Sequence, residues 1–298
     1  MTDLVSSPAL AAAAKADPMR KPRDDEIDIY GLTHPGLVRP ANEDHFLIGA
    51  VQRQLVVHST SLPDLSVLSS AGERLAFLMM VADGVGGGAM GEEASRLAVE
   101  RVTEFVAGSM RCYQSADTAA DREFAEALQE AAMQTHARIL AESETDPDRR
   151  GMATTLTLWL GVWPRSWLLQ IGDSRCYQLR GGKLIQISRD QTMAQELIDQ
   201  GIIDRTDAAA SRWAHVLSSA IGGRATAPVV TRIDQSWDAV GLLCSDGLTK
   251  HVSDDRIRDR LRAMTSAKQV CEALLQDALD GGGTDNVTIL VGRVVRKD

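Results

Sequence analysis

The chain has 298 residues, a formal net charge of -9 and 44% hydrophobic residues, enough to bury one substantial core. An acidic balance without a basic, aromatic-interleaved stripe argues against nucleic acid as a partner. Four cysteines, Cys112, Cys176, Cys244 and Cys271, show no CxxC spacing, which argues against a zinc site or a disulfide framework and fits reduced thiols in a cytoplasmic protein. No run reaches the roughly 18 apolar residues of a membrane span, and the weakly apolar stretch 9–14 lacks the basic flank of a signal peptide.

Residues 1–26 mix Ala, Ser, Pro and charge without periodicity and predict a disordered tail. The remainder, 27–298, is expected to form one domain. Ile27 to Leu32 alternates as a strand, and the segment from Gly36 to Asp44 then carries Arg39, Glu43 and Asp44 to the start of a second strand, His45 to Ile48. Successive residues of a regular strand face opposite ways, so Glu43 and Asp44 can serve one ion only from an irregular strand start or through an outer shell. Taken alone, this segment also reads as a solvated turn. Residues 52–72 are longer than a tight turn needs and carry no recognisable chemistry, although Leu55 to Val57 could extend a hairpin.

The continuous apolar run Leu75 to Met80 predicts a strand buried on both faces, with Asp83 emerging at its end. Gly84, Gly86, Gly87, Gly88 and Gly91 follow, where a Cβ would block close approach of the backbone to an ion or phosphate. A phosphate-binding P-loop is excluded, because no Gly-Lys-Ser/Thr follows and Asp83 would repel a phosphate unless a cation lay between. Helical periodicity begins after Gly91, with Ala94, Leu97, Ala98, Val102, Phe105 and Val106 on one face. A second amphipathic helix carries Phe124, Leu128, Ala132, Thr135 and Ile139 and stops at Asp146-Pro147-Asp148.

Three β-rich runs, 154–162, 167–171 and 176–179, suggest an antiparallel meander, with Asp173 in a Gly-Asp-Ser-Arg turn. Gln191 to Gln200 reads as a short helix closed by Gly201. The strand Val240 to Cys244 ends in Ser245-Asp246-Gly247, two helices cover about 253–264 and 267–279, and Asp285-Asn286 precedes a last strand, Val287 to Val291. Asp83, Asp173, Asp246 and Asp285 thus each lie beside Gly, Ser or Thr where a hydrophobic strand starts or stops. Each alone is equally an Asx turn. Together they offer oxygen ligands with no His or Cys cluster, which favours Mg²⁺ or Mn²⁺ over zinc. Carboxylates shared by two such ions describe a site for phosphoester hydrolysis.

Six motifs in order carry a resemblance. They are Arg39-x-x-Asn42-Glu43-Asp44, Ala82-Asp83-Gly84-x-Gly86-Gly87 with Gly91-Glu92, Ala153-Thr154-Thr155, Gly172-Asp173-Ser174-Arg175, Ser245-Asp246-Gly247-Leu248 and Asp285-Asn286-x-Thr288. From about Ile29 to Val294 the chain resembles the metal-dependent serine/threonine protein phosphatases of type 2C, in their bacterial form. The resemblance implies an α+β fold, a four-layer α-β-β-α sandwich of two antiparallel sheets flanked by helices. It also implies two Mn²⁺ or Mg²⁺ ions, with a weaker third. By motif, Asp83 would bridge both ions, the Gly84 carbonyl would bind one of them, and Asp246 and Asp285 would ligate the other. Glu43 and Asp44 would hold metal-bound waters, Asp173 would serve the third site, Asn286 would support the metal site, and Arg39 would grip the phosphate. The implied function is hydrolysis of phosphoserine and phosphothreonine in proteins by a metal-bridging hydroxide, with phosphoproteins and an opposing bacterial Ser/Thr kinase as partners. A cytoplasmic, monomeric signalling enzyme is the expectation.

Two departures stand out. Relatives commonly carry a histidine two or five residues after the bridging aspartate, where this chain has Val85 and Gly88, and Asp190-Gln191-Thr192 replaces a frequent Asp-His-Ser. The missing histidine leaves open an alternative, a weakly active or inactive regulatory module on the same fold. His34 and His45 lie nearest the first motif, and a structural role is expected for each. Residues 191–223 match the family's flap, a segment beside the cleft thought to influence substrate choice.

Overall fold

The computed structural model describes residues 17, 19–53, 72–87, 89–108, 118–146, 149–209 and 211–297. The expected strand extension at 55–57, Gly88 of the glycine loop, Pro147-Asp148 and residues 1–16 of the expected tail lie outside them. In chain order the elements are β1 (Ile27–His34), β2 (His45–Arg53), β3 (Glu73–Ala82), β4 (Gly84–Val85), α1 (Ala89–Gly108), α2 (Thr118–Thr145), β5 (Ala153–Thr154), β6 (Leu156–Val162), β7 (Arg165–Ile171), β8 (Arg175–Arg180), β9 (Lys183–Gln186), α3 (Met193–Asp199), α4 (Arg205–Ala209), β10 (Val229–Asp234), β11 (Val240–Cys244), α5 (Asp246–Thr249), α6 (Asp254–Arg262), α7 (Ala267–Asp280) and β12 (Val287–Val294). Before β1, the side chain of Glu26 is buried and paired with Arg20, so the packed part of the chain reaches back of Ile27.

Two five-stranded antiparallel sheets result, ordered β1-β12-β11-β8-β9 and β10-β7-β6-β3-β2. Because side chains alternate across a strand, each central strand feeds two cores. In β3, Leu78 and Met80 join the cluster under α1 and α2, whereas Met79 and Val81 face the opposite sheet. In β11, Leu242 and Cys244 pack under α5, α6 and α7, whereas Leu243 meets Met79, Val81 and Leu290 between the sheets. Three apolar layers therefore separate four structural layers, an α-β-β-α sandwich. This is why the β3 run is apolar throughout although its sheet is antiparallel.

The expected meander is corrected. β6 and β7 pair, but β8 leaves for the other sheet, where it pairs with β9 and β11. Gly172 makes the crossing with φ +99°, and a Cβ there would lie 2.6 Å from Thr155 Cγ2. β9, β10 and the short α5 were not foreseen, and α1 starts two residues before Gly91.

Antiparallel pairing sets the position of the acidic residues. His45 opposes Ala82 and Thr157 opposes Val81, so the start of β2, the end of β3 and the start of β6 share one edge. In the other sheet, His34 opposes Val287 and Cys244 opposes both Ile289 and Arg175. The residues flanking these ends gather at one end of the sandwich.

Candidate active site

Glu43 and Asp44 lie just before β2, where the backbone is irregular. The Glu43 N–H donates to Asn286 Oδ1 at 2.8 Å, and Ser95 Oγ donates to the Glu43 carbonyl at 2.6 Å. Asn286 also donates to the carbonyls of Pro35 and Ala41, tying the loop that carries Arg39 to the start of β12. Gly84 and Gly91 touch beside Glu43. A Cβ on Gly84 would lie 2.3 Å from the Gly91 carbonyl oxygen, and one on Gly91 would lie 2.0 Å from Glu43 Oε2. Glycine is thus required at 84, where the neighbours are backbone atoms, and at 91 it leaves room for the Glu43 carboxylate.

The Asp83 backbone is fixed on both sides. Its N–H donates to Thr155 Oγ1 at 3.0 Å, while its carbonyl accepts from the Thr155 N–H and from Thr154 Oγ1. Thr155 Oγ1 in turn meets Ser174 Oγ at 3.0 Å, coupling Asp83 to the turn that bears Asp173. Asp44 Oδ2 accepts from Ser245 Oγ at 2.8 Å and Thr288 Oγ1 at 2.6 Å, linking the two sheets. Arg39 spans both Asp285 oxygens, at 2.7 and 2.9 Å. Lys250 lies 2.6 Å from Asp246 Oδ2 and 2.6 Å from Asp285 Oδ2.

These surroundings shift the carboxylates apart. Burial pushes Asp44 up to about 6 against the two hydroxyl donors, with Asp246 and Asp285 adding repulsion. Burial, then Asp246 and Asp190, push Asp173 to about 7. Asp83 rises well above the carboxylate range through desolvation and the charges of Asp44, Asp246 and Asp173. Asp285 goes the other way: burial would raise it, but bonds from Arg39 and Lys250 hold it below its ordinary value.

Sequence reasoning named Arg39, Glu43, Asp44, Asp83, Gly84, Asp173, Asp246, Asp285 and Asn286, and all flank this end of the sandwich. It missed Lys250, although a lysine four residues after Asp246 in a helical turn was a legible signal. It left Gln191 without a role. The Gln191 side chain is buried, accepts from the Gly172 N–H at 2.8 Å and donates to the Ala227 carbonyl at 2.9 Å, clamping the flap to the Asp173 turn. His34 and His45 have partners, the Gly36 N–H and Ser95 Oγ respectively, in keeping with structural roles.

Among the described residues, no three His, Cys, Asp or Glu side chains are arranged so as to hold an ion. Arg39 and Lys250 stand against the carboxylates instead. The donor set nevertheless fits a hard cation. It is all oxygen, Asp44 Oδ1 is buried without a hydrogen-bond partner, and Asp44, Asp83 and Asp173 have their charged forms disfavoured by burial and by neighbouring carboxylates. A cleft of about 470 Å³ opens beside Asp173, Asp246 and Lys250, walled by Thr192, Ile198 and His215 of the flap.

The family profile of protein phosphatase 2C matches residues 64–281. The serine/threonine protein phosphatase PstP of Mycobacterium tuberculosis is 36% identical over 221 residues, which cover 74% of this chain and 41% of that protein. The chain thus spans about two fifths of that relative's length. The serine/threonine phosphatase stp of Listeria welshimeri is 29% identical over 72% of this chain and 83% of its own. A crystal structure of the PstP catalytic domain in complex with two manganese ions superposes with a TM-score of 0.68 at 32% identity, covering 91% of this chain and 99% of that one.

Proposed function

Because the chain belongs to the protein phosphatase 2C family, we propose that it hydrolyses phosphoserine and phosphothreonine in proteins, using divalent ions held at the carboxylate end of the sandwich. The observation that carries this reading is the gathering of Asp44, Asp83 and Asp173 at one end of the sandwich, each with its charged form disfavoured by burial and by neighbouring carboxylates. A cation placed beside such groups favours their ionised form. The manganese ions of the related catalytic domain support the choice of metal.

In this reading Asp83 would help hold both ions, the Gly84 carbonyl one of them, Asp246 and Asp285 the other, and Asp173 a weaker third. When bound, the ions supply Lewis-acid neutralisation of the phosphoryl oxygens and a water activated for attack on phosphorus. The protein's own residues do the rest. Arg39 presents a planar fork suited to two phosphate oxygens. Glu43 and Asp44 would accept hydrogen bonds from waters at the site, and their backbones are held by Asn286 and Ser95 on one side and Asn42 on the other. The Thr155 and Ser174 hydroxyls keep Asp83 and Asp173 in register across the two sheets.

The substrate in this reading is a phosphoprotein, supported by the names of the bacterial serine/threonine phosphatase relatives, and its phosphate would come from a bacterial Ser/Thr kinase. Free, buried Cys176, Cys244 and Cys271 support a reducing compartment, the cytoplasm. Among the described residues no helix is long and apolar enough to cross a membrane.

The test is phosphate release from a phosphothreonine peptide with Mn²⁺, Mg²⁺ or EDTA, for the wild type beside Asp246→Ala. Turnover should require metal and fall by roughly 10²-fold or more in the variant. Mn²⁺ binding without turnover would instead favour a regulatory module on this fold.

A further inference from the structure

Resting on the metal reading above, we infer that Lys250 is a resident cation that an incoming metal ion must displace, and that it thereby sets the metal affinity of the site. The ammonium contacts Asp246 and Asp285 at once, each at 2.6 Å. Those are two of the carboxylates from which a divalent ion would draw oxygens, and the ammonium occupies one oxygen of each.

The geometry is held from below. α5 starts at Asp246, and the Lys250 N–H donates to the Asp246 carbonyl at 2.9 Å, so the lysine stands one helical turn above the aspartate. Gly247 locks this turn against the start of β12, where a Cβ would lie 1.9 Å from the Asn286 carbonyl oxygen. Asp246, Lys250 and Asp285 are therefore neighbours by construction. Burial alone would make the ammonium easier to deprotonate, but the two carboxylates more than reverse this and keep it charged.

A lysine is suited to being displaced. It is a point charge on a flexible stem, its side chain is 23% exposed, and it lines the 470 Å³ cleft into which it can swing. With no metal bound, it offsets the repulsion between Asp246 and Asp285. With metal bound, two cations compete for the same oxygens, and binding is weaker than the carboxylates alone would give. Arg39 adds a second contact on Asp285 but none on Asp246, so Lys250 is the residue common to both.

The test is Mn²⁺ titration by calorimetry of the wild type, Lys250→Met and Lys250→Arg, with thermal unfolding in EDTA and in Mn²⁺. Lys250→Met should bind Mn²⁺ roughly tenfold more tightly or better, melt at a lower temperature in EDTA, and gain more from added Mn²⁺ than the wild type. Lys250→Arg keeps the charge and should stay within about threefold of the wild type. A Kd for Lys250→Met within about twofold of the wild type, or weaker, overturns the inference and leaves the metal reading intact. Binding by neither protein overturns the metal reading and this inference with it. Should Lys250→Met not survive purification without metal, Lys250→Gln is judged by the same criterion.

Discussion

Asp44 and Asp173 are carboxylates whose ionisation the fold makes harder, and that predicts how the site meets metal. Burial and neighbouring charges lift them to about 6 and about 7. A metal ion binds the ionised form, so below these values it must first drive off protons. The apparent Mn²⁺ affinity should therefore fall by roughly tenfold or more between pH 7.5 and pH 5.5, with protons released on binding at the lower pH. Calorimetry in two buffers of different ionisation enthalpy measures both. Asp173→Asn removes one titrating group and should flatten the profile. At the same scale, Gly84→Ala forces a methyl group to 2.3 Å from the Gly91 carbonyl oxygen and 2.8 Å from the Glu43 carbonyl oxygen, both backbone atoms. It should cost about 1–3 kcal/mol of stability, read by urea denaturation.

The segment 191–223, expected to match the family's flap, is anchored at both ends next to the candidate site. Its first residues are tied to the Asp173 turn through Gln191, whose N–H donates to the Gly172 carbonyl and whose carbonyl accepts from the Ser218 N–H. Its far end pairs Ile221 with Thr154, the residue whose hydroxyl also bonds the Asp83 carbonyl. Both ends of this segment are thus hydrogen-bonded to backbone beside or at two acidic residues of the site. Gln191→Ala leaves the Gly172 N–H and the Ala227 carbonyl without their side-chain partner in a buried setting. The expected loss is about 1–3 kcal/mol by chemical denaturation. Because the clamp acts through the Asp173 turn, the variant should also lose peptide phosphatase activity more than its folded fraction explains.

At the scale of the molecule, the site exists because two sheets face each other at a fixed spacing. Leu243, Leu290, Leu168, Met79 and Val81 fill the layer between them, and Asp44 reaches across that layer's end to Ser245 and Thr288. Leu243→Ala opens a cavity in this layer and should cost about 2–5 kcal/mol. It should also weaken Mn²⁺ binding although it touches no candidate ligand, since loss of spacing misplaces carboxylates on both sheets. Calorimetry on the folded variant checks the second expectation, and unaltered affinity would mean that the strand ends hold the site without the layer between.

Local chemistry made the strand ends, the glycine contacts near Asp83 and the periodic faces of α1 and α2 legible in the sequence, because period-2 and period-3.6 patterns and steric limits act over a few residues. The ordered motifs carried the family. What the sequence could not tell is which strand joins which sheet. β6, β7 and β8 have similar composition, and only packing against the partner sheet sends β8 across at Gly172. The tertiary structure likewise decided the pairing of Lys250 with Asp285 and the clamp made by Gln191, contacts 35, 19 and 36 residues apart in the chain. Such contacts depend on where distant backbones come to rest, and no local pattern encodes that distance.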